Sequence, residues 1–175
     1  MRIKIEDELT GIIALTKELT LISNLEAMLQ FSEEPESTKQ LEQALKNSRL
    51  FVRTILDSGV IPDLYLQRID IAMNPVTEFY LDNEEPLYTE DMAITDSVTA
   101  IVAITKAKDT IKSLEKTREY CETDEELKAL EYSINHSEET IQRILKLGYL
   151  DHEQIKLLME AANPSTCLYI NTFEE

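Results

Sequence analysis

The chain repeats itself. Shifted by 89 residues, positions 3–86 align with 92–175 without a gap. The clearest block is Ile55-Leu56-Asp57-Ser58-Gly59, running on to Ala72-Met73-Asn74-Pro75. It recurs as Ile144-Leu145-Lys146-Leu147-Gly148, running on to Ala161-Ala162-Asn163-Pro164. Identities continue along both copies: Asp7/Asp96, Thr10/Thr99, Ile12/Ile101, Thr16/Thr105, Lys17/Lys106, Leu41/Leu130, Thr77/Thr166 and Tyr80/Tyr169. More than twenty of the 84 paired positions match, where composition alone gives roughly 5 or 6. Shared helical periodicity inflates apolar matches, but it does not produce Lys17/Lys106 or Asn74/Asn163. A head-to-tail duplication constrains the fold more than any single motif.

Each copy reads as a long helix, a second helix, a short helix and an extended tail. The fold class is therefore all-α, a tandem duplication of a three-helix unit with pseudo-two-fold symmetry. The boundaries expected are 1–86 for the first repeat, 87–91 for a linker, and 92–175 for the second repeat docked on the first. A unit of about 85 residues buries only a modest core alone, so docking is expected.

Asp7 and Asp96 are positioned as N-caps of first helices spanning about 8–31 and 97–120. Leu9/Val98, Ile12/Ile101, Ile22/Ile111 and Leu25/Leu114 place the core on one face of them. Ser37 with Gln40, and Thr123 with Glu126, have capping-box spacing. That spacing starts the second helix one turn sooner in the second copy. The 136–139 segment contains a cap-like pattern, but continuity through it is the expectation. Gly59 and Gly148 supply the left-handed residue after that helix. Pro62 and Asp151 then open a third helix, which Asn-Pro closes. The β-prone runs 77–81 and 166–170 are candidates to pair with 2–5 and 92–95 as a minor sheet.

Charge narrows the function classes. The net charge is −17, with 17 basic and 34 acidic residues, divided as −8 before residue 90 and −9 after. Direct nucleic-acid binding needs clustered Lys and Arg, so it is not expected, and the same holds for an anionic membrane. No apolar run approaches the roughly 20 residues that span a bilayer. The N-terminal residues lack the apolar core of a signal peptide, which makes the cytoplasm the expected location. Cys121 and Cys167 align with Ser32 and Glu78, so the repeated unit does not depend on them, and free thiols are expected.

Catalytic patterns are missing. Neither His136 nor His152 has a Glu three residues before it, as a di-iron bundle needs. There is no His-Glu-x-x-His, no EF-hand spacing and no glycine-rich phosphate loop. No catalytic residue, metal ligand or cofactor is expected. Lys17, Lys106, Tyr80 and Tyr169 are candidate repeated polar anchors. For the lysines, snorkelling or an ion pair with a nearby glutamate is the structural reading.

The copies also differ. Leu19, Met28, Leu29, Leu50, Phe51, Leu64, Tyr65 and Ile71 become Lys108, Thr117, Arg118, Glu139, Thr140, Glu153, Gln154 and Glu160. These apolar residues serve either the dock between halves or a protein-interaction surface. The leading expectation is a non-enzymatic, acidic protein-binding module, an adaptor or inhibitor of the kind phages and mobile elements encode. Its partner would be another protein, basic or two-fold symmetric, and a homodimer is compatible with the pattern. One alternative is an acidic nucleic-acid mimic that blocks a DNA- or RNA-binding protein. Another is a small-ligand binder or a carboxylate-based enzyme, which needs a pocket with converging polar groups.

Overall fold

A computed structural model describes residues 1–74, 77, 79–81 and 92–170. The expected linker at 87–91 lies outside them. The order is β1 (Arg2–Lys4), α1 (Glu8–Gln30), α2 (Pro35–Asp57), α3 (Asp63–Ala72), β2 (Phe79–Leu81), β3 (Met92–Ile94), α4 (Ser97–Thr117), α5 (Asp124–Leu145), α6 (His152–Ala161) and β4 (Cys167–Tyr169). A 3₁₀ turn, Arg118–Tyr120, follows α4. The fold is mainly helical and repeats element for element. Added to the starts of α1, α2 and α3, the 89-residue shift gives the starts of α4, α5 and α6.

Local chemistry sets most boundaries. The Asp7 carboxylate accepts from the Thr10 amide at 2.8 Å while the Thr10 hydroxyl accepts from the Asp7 amide, closing a capping box. Asp96 and Thr99 do the same for α4. Thr123 with Glu126 caps α5, and Asp151 with Gln154 caps α6. Helix α5 runs unbroken through 136–139. Ser37, however, caps nothing. Helix α2 begins at Pro35, after Glu34, which makes no side-chain cap. Proline at the first helical position supplies a suitable φ and lacks only a donor that would be orphaned there. The second helices thus begin at equivalent residues, rather than one turn apart. Gly59 and Gly148 take φ of +69° and +77°.

Burial of the first helices is wider than one stripe. Every residue from Leu9 to Thr16 is buried, and so is every residue from Val98 to Thr105. The reason is tertiary. These segments pack on each other, on their own second helices, and on the third helix of the opposite repeat. Thr16 and Thr105 tolerate full burial because each hydroxyl donates to the carbonyl four residues back, Ile12 or Ile101, at 2.8 Å.

The repeats exchange their C-terminal thirds. Helix α3 packs on α4, while α6 packs on α1. Strand β2 pairs in parallel with β3, and β4 pairs in parallel with β1, so each two-stranded sheet takes one strand from each repeat. The registers agree after the shift: Ile3 opposite Leu168 corresponds to Met92 opposite Phe79. One core cluster runs through both repeats, from Ile12, Ile55 and Ile69 to Ile101, Ile144 and Leu158.

Candidate protein-interaction surface

Two lysine clamps hold the exchange together. Lys17, on α1 at the end of the buried stretch, reaches across to the end of α6. Its ammonium donates to the carbonyls of Asn163 and Thr166, both at 2.9 Å, and to Ala161 at 3.4 Å. Lys106, on α4, donates to Ala72 at 3.0 Å and Thr77 at 3.5 Å. A cation there gives a donor to carbonyls at a helix end, of which, among the described residues, only that of Asn163 also accepts from a backbone amide, Thr166, and it complements the negative end of the helix dipole. The Thr77 and Thr166 hydroxyls complete each helix end by donating to Ile71 and Glu160. The repeated polar identities therefore specify one structural joint used twice, built, among the described residues, on main-chain carbonyls rather than on a glutamate.

Electrostatics differ between the clamps. Asp109 faces Lys17; its counterpart in the first repeat is Thr20. Burial pushes the Asp109 carboxyl up to about 6, and the Lys17 charge only partly opposes this. Burial also lowers the Lys17 pKa, with Asp109 the leading opposing influence. Desolvation thus outweighs attraction on both sides of the pair. Lys106 is lowered by burial as well, and its ammonium lies 5.3 Å from the centre of the Phe79 ring.

The tyrosine anchors are not a matched pair. The Arg2 guanidinium sits over the Tyr169 ring at 5.0 Å. Tyr80 is half-buried in β2, opposite Ala93.

The eight apolar candidates divide between inside and outside. Leu19, Phe51 and Tyr65 pack against the core, and Leu29 is half-buried. Leu64 is 74% exposed, Leu50 64%, Met28 56% and Ile71 50%. Leu64 and Ile71 are seven residues apart on α3 and so share one side of it. Arg68, between them, forms an ion pair with Asp96, the cap of α4. On α6 the equivalent residues are Glu153, Leu157 and Glu160. The two helices therefore show inverted polarity outward. Phe31, 83% exposed just before α2, is a surface aromatic that the apolar-to-polar comparison passes over. Its counterpart Tyr120 is also aromatic and exposed, and an aromatic kept at both helix ends is the signal.

A groove of about 990 Å³ between α4 and α5 carries Lys108, Lys112, Arg143 and Lys146 among Glu115, Glu138 and Glu139. Lys108 is partly desolvated, which lowers its pKa. Charges of both signs alternate around an open trough, which suits no single small ion. Among the described residues, no cluster of three or more His, Cys, Asp or Glu side chains is arranged to hold a metal. Cys121 and Cys167 are free thiols. No described helix is long and apolar enough to cross a membrane. No protein-family model, curated protein or solved structure matches the chain.

Proposed function

We propose that the chain is a non-enzymatic, acidic helical module that binds another protein through the outer side of its first repeat. The observation that carries this is the pair Leu64 and Ile71, exposed on α3 where α6 presents Glu153 and Glu160. The glutamates show that a charged residue fits these positions, so the core does not require leucine and isoleucine there. Covering what each still exposes recovers about 1–2 kcal/mol of hydrophobic free energy. Leu50 and Met28 add apolar surface on α2 and α1.

The test is retention of proteins from host lysate by the immobilised chain and by a Leu64→Glu/Ile71→Glu variant. We expect a stoichiometric partner on the parent chain and retention weaker by about tenfold or more on the variant. Equal retention by the two would overturn the assignment of the surface.

A further inference from the structure

The ion pair between Arg68 and Asp96 has a vacant twin. In the first junction, one oxygen of Asp96 caps α4 by accepting from Thr99, and Arg68 of the opposite repeat takes the other oxygen. In the second junction, Asp7 caps α1 in the same way through Oδ1. The residue equivalent to Arg68 is Leu157, which has no charge to offer. Among the described residues, no hydrogen bond or ion pair reaches the outer oxygen of Asp7.

The space beside it is a groove of about 570 Å³. Carboxylates of Asp7, Glu8, Glu153 and Glu160 line it, with Lys156 the one cation among the described residues, and Leu157 and Ile101 give it an apolar wall. Acidity alone would suit any cation. The geometry narrows the choice, because the equivalent capped aspartate of the other repeat, Asp96, already receives a guanidinium. An arginine matches both parts of the groove: its three-carbon stem lies on leucine and isoleucine while its planar head forms paired hydrogen bonds to carboxylate.

We infer that this groove binds an arginine side chain presented by a partner protein, with the guanidinium on the outer oxygen of Asp7. The biological meaning rests on the reading of the chain as a protein-binding module, but the site lies at the opposite junction from α3, and peptide titration tests it separately.

The probe is the capped peptide acetyl-Leu-Arg-Leu-amide, titrated into the full ¹⁵N-labelled chain. Its control carries citrulline, the uncharged isostere of arginine. The arginine peptide should saturably shift amides at residues 7–10 and 153–157, and the citrulline peptide should not. Asp7→Asn keeps a good helix cap and should weaken binding about tenfold, the equivalent of one charge-assisted hydrogen bond. Leu157→Arg should fill the groove from within and abolish the shifts. Arg68→Leu should open the twin and add a second set of shifts at residues 96–99. The inference is overturned by shifts that do not saturate, by equal response to citrulline, or by binding that survives both Asp7→Asn and Leu157→Arg.

Discussion

The two lysine clamps have one blueprint and two electrostatic settings. Each lysine ends a fully buried stretch of its helix and caps the third helix of the opposite repeat. Lys17 holds three carbonyls and faces Asp109; Lys106 holds two and lies near the face of Phe79. Duplication preserved the joint, while a threonine-to-aspartate difference at positions 20 and 109 put a second charge beside one copy of it. The difference teaches that geometry and charge are separable here. Among the described residues, main-chain carbonyls and the Phe79 ring seat the Lys106 ammonium with no carboxylate beside it, so a partner like Asp109 is not part of the shared seat and must be judged by what it costs or adds.

The sharpest way to break the comparison is to remove each ammonium. Lys17→Met orphans the Ala161 and Thr166 carbonyls, while that of Asn163 keeps the Thr166 amide, and it leaves Asp109 without its cation, so it should destabilise by about 2–3 kcal/mol. Among the described residues, Lys106→Met orphans two carbonyls and strands no carboxylate, so about 1–2 kcal/mol is expected. Urea denaturation of the two variants beside the parent chain measures both. Equal losses would mean that Asp109 does not distinguish the clamps.

Acidity sharpens it next. The folded-state pKa of Asp109 is about 6, above the ordinary aspartate value near 3.9. The folded chain therefore holds that proton more tightly than the unfolded one, and the ionised carboxylate opposes folding at neutral pH. Its penalty should fade as pH drops through about 6 and be gone below the ordinary aspartate range. Asp109→Asn removes this contribution. Accordingly, the stability difference between the variant and the parent should shrink between pH 7 and pH 4.5. A constant difference across that interval would contradict the burial assigned to Asp109. Repeating the series in a Lys17→Met background should move the window upward, because the opposing charge is gone.

Much of the backbone was legible in the sequence, because caps and stops are local. Asp7 with Thr10, Thr123 with Glu126, Asp151 with Gln154, and both glycines stand where their residue types require. Two things were not legible. An internal repeat shows which residues are equivalent but not which copy they touch, since self-closed and exchanged repeats satisfy the same identities. The crosswise pairing of β1 with β4 and β2 with β3 needed coordinates. The candidate surface was half legible for a similar reason. A leucine opposite a glutamate signals a changed environment, but only packing separates Phe51 and Tyr65, which lean on the core, from Leu50 and Leu64, which do not. Ser37 misled because its cap spacing is correct while Pro35, two residues earlier, starts the helix first.

The smallest expected difference between the copies supplies the yardstick for the rest. If the copies share one backbone design, a substitution that reports only backbone conformation should cost the same in both. Gly59 and Gly148 meet that condition: both have positive φ, and a Cβ added at either would meet nothing within 4 Å. Gly59→Ala and Gly148→Ala should each destabilise by about 1–2 kcal/mol, the cost of placing an L-residue in the left-handed region. Gly11 is the contrasting position. There an added Cβ would lie 2.8 Å from Val60 Cγ2 and 2.9 Å from Ile61 Cγ1, although the equivalent residue in the second repeat is already alanine, Ala100. Its cost would report side-chain packing and not the shared design. Urea midpoints for the Gly59 and Gly148 variants that differ by more than about 0.5 kcal/mol, beyond the usual scatter for distant independent sites, would mean that the turns themselves have diverged. The contrast between the clamps could then no longer be assigned to Asp109 alone.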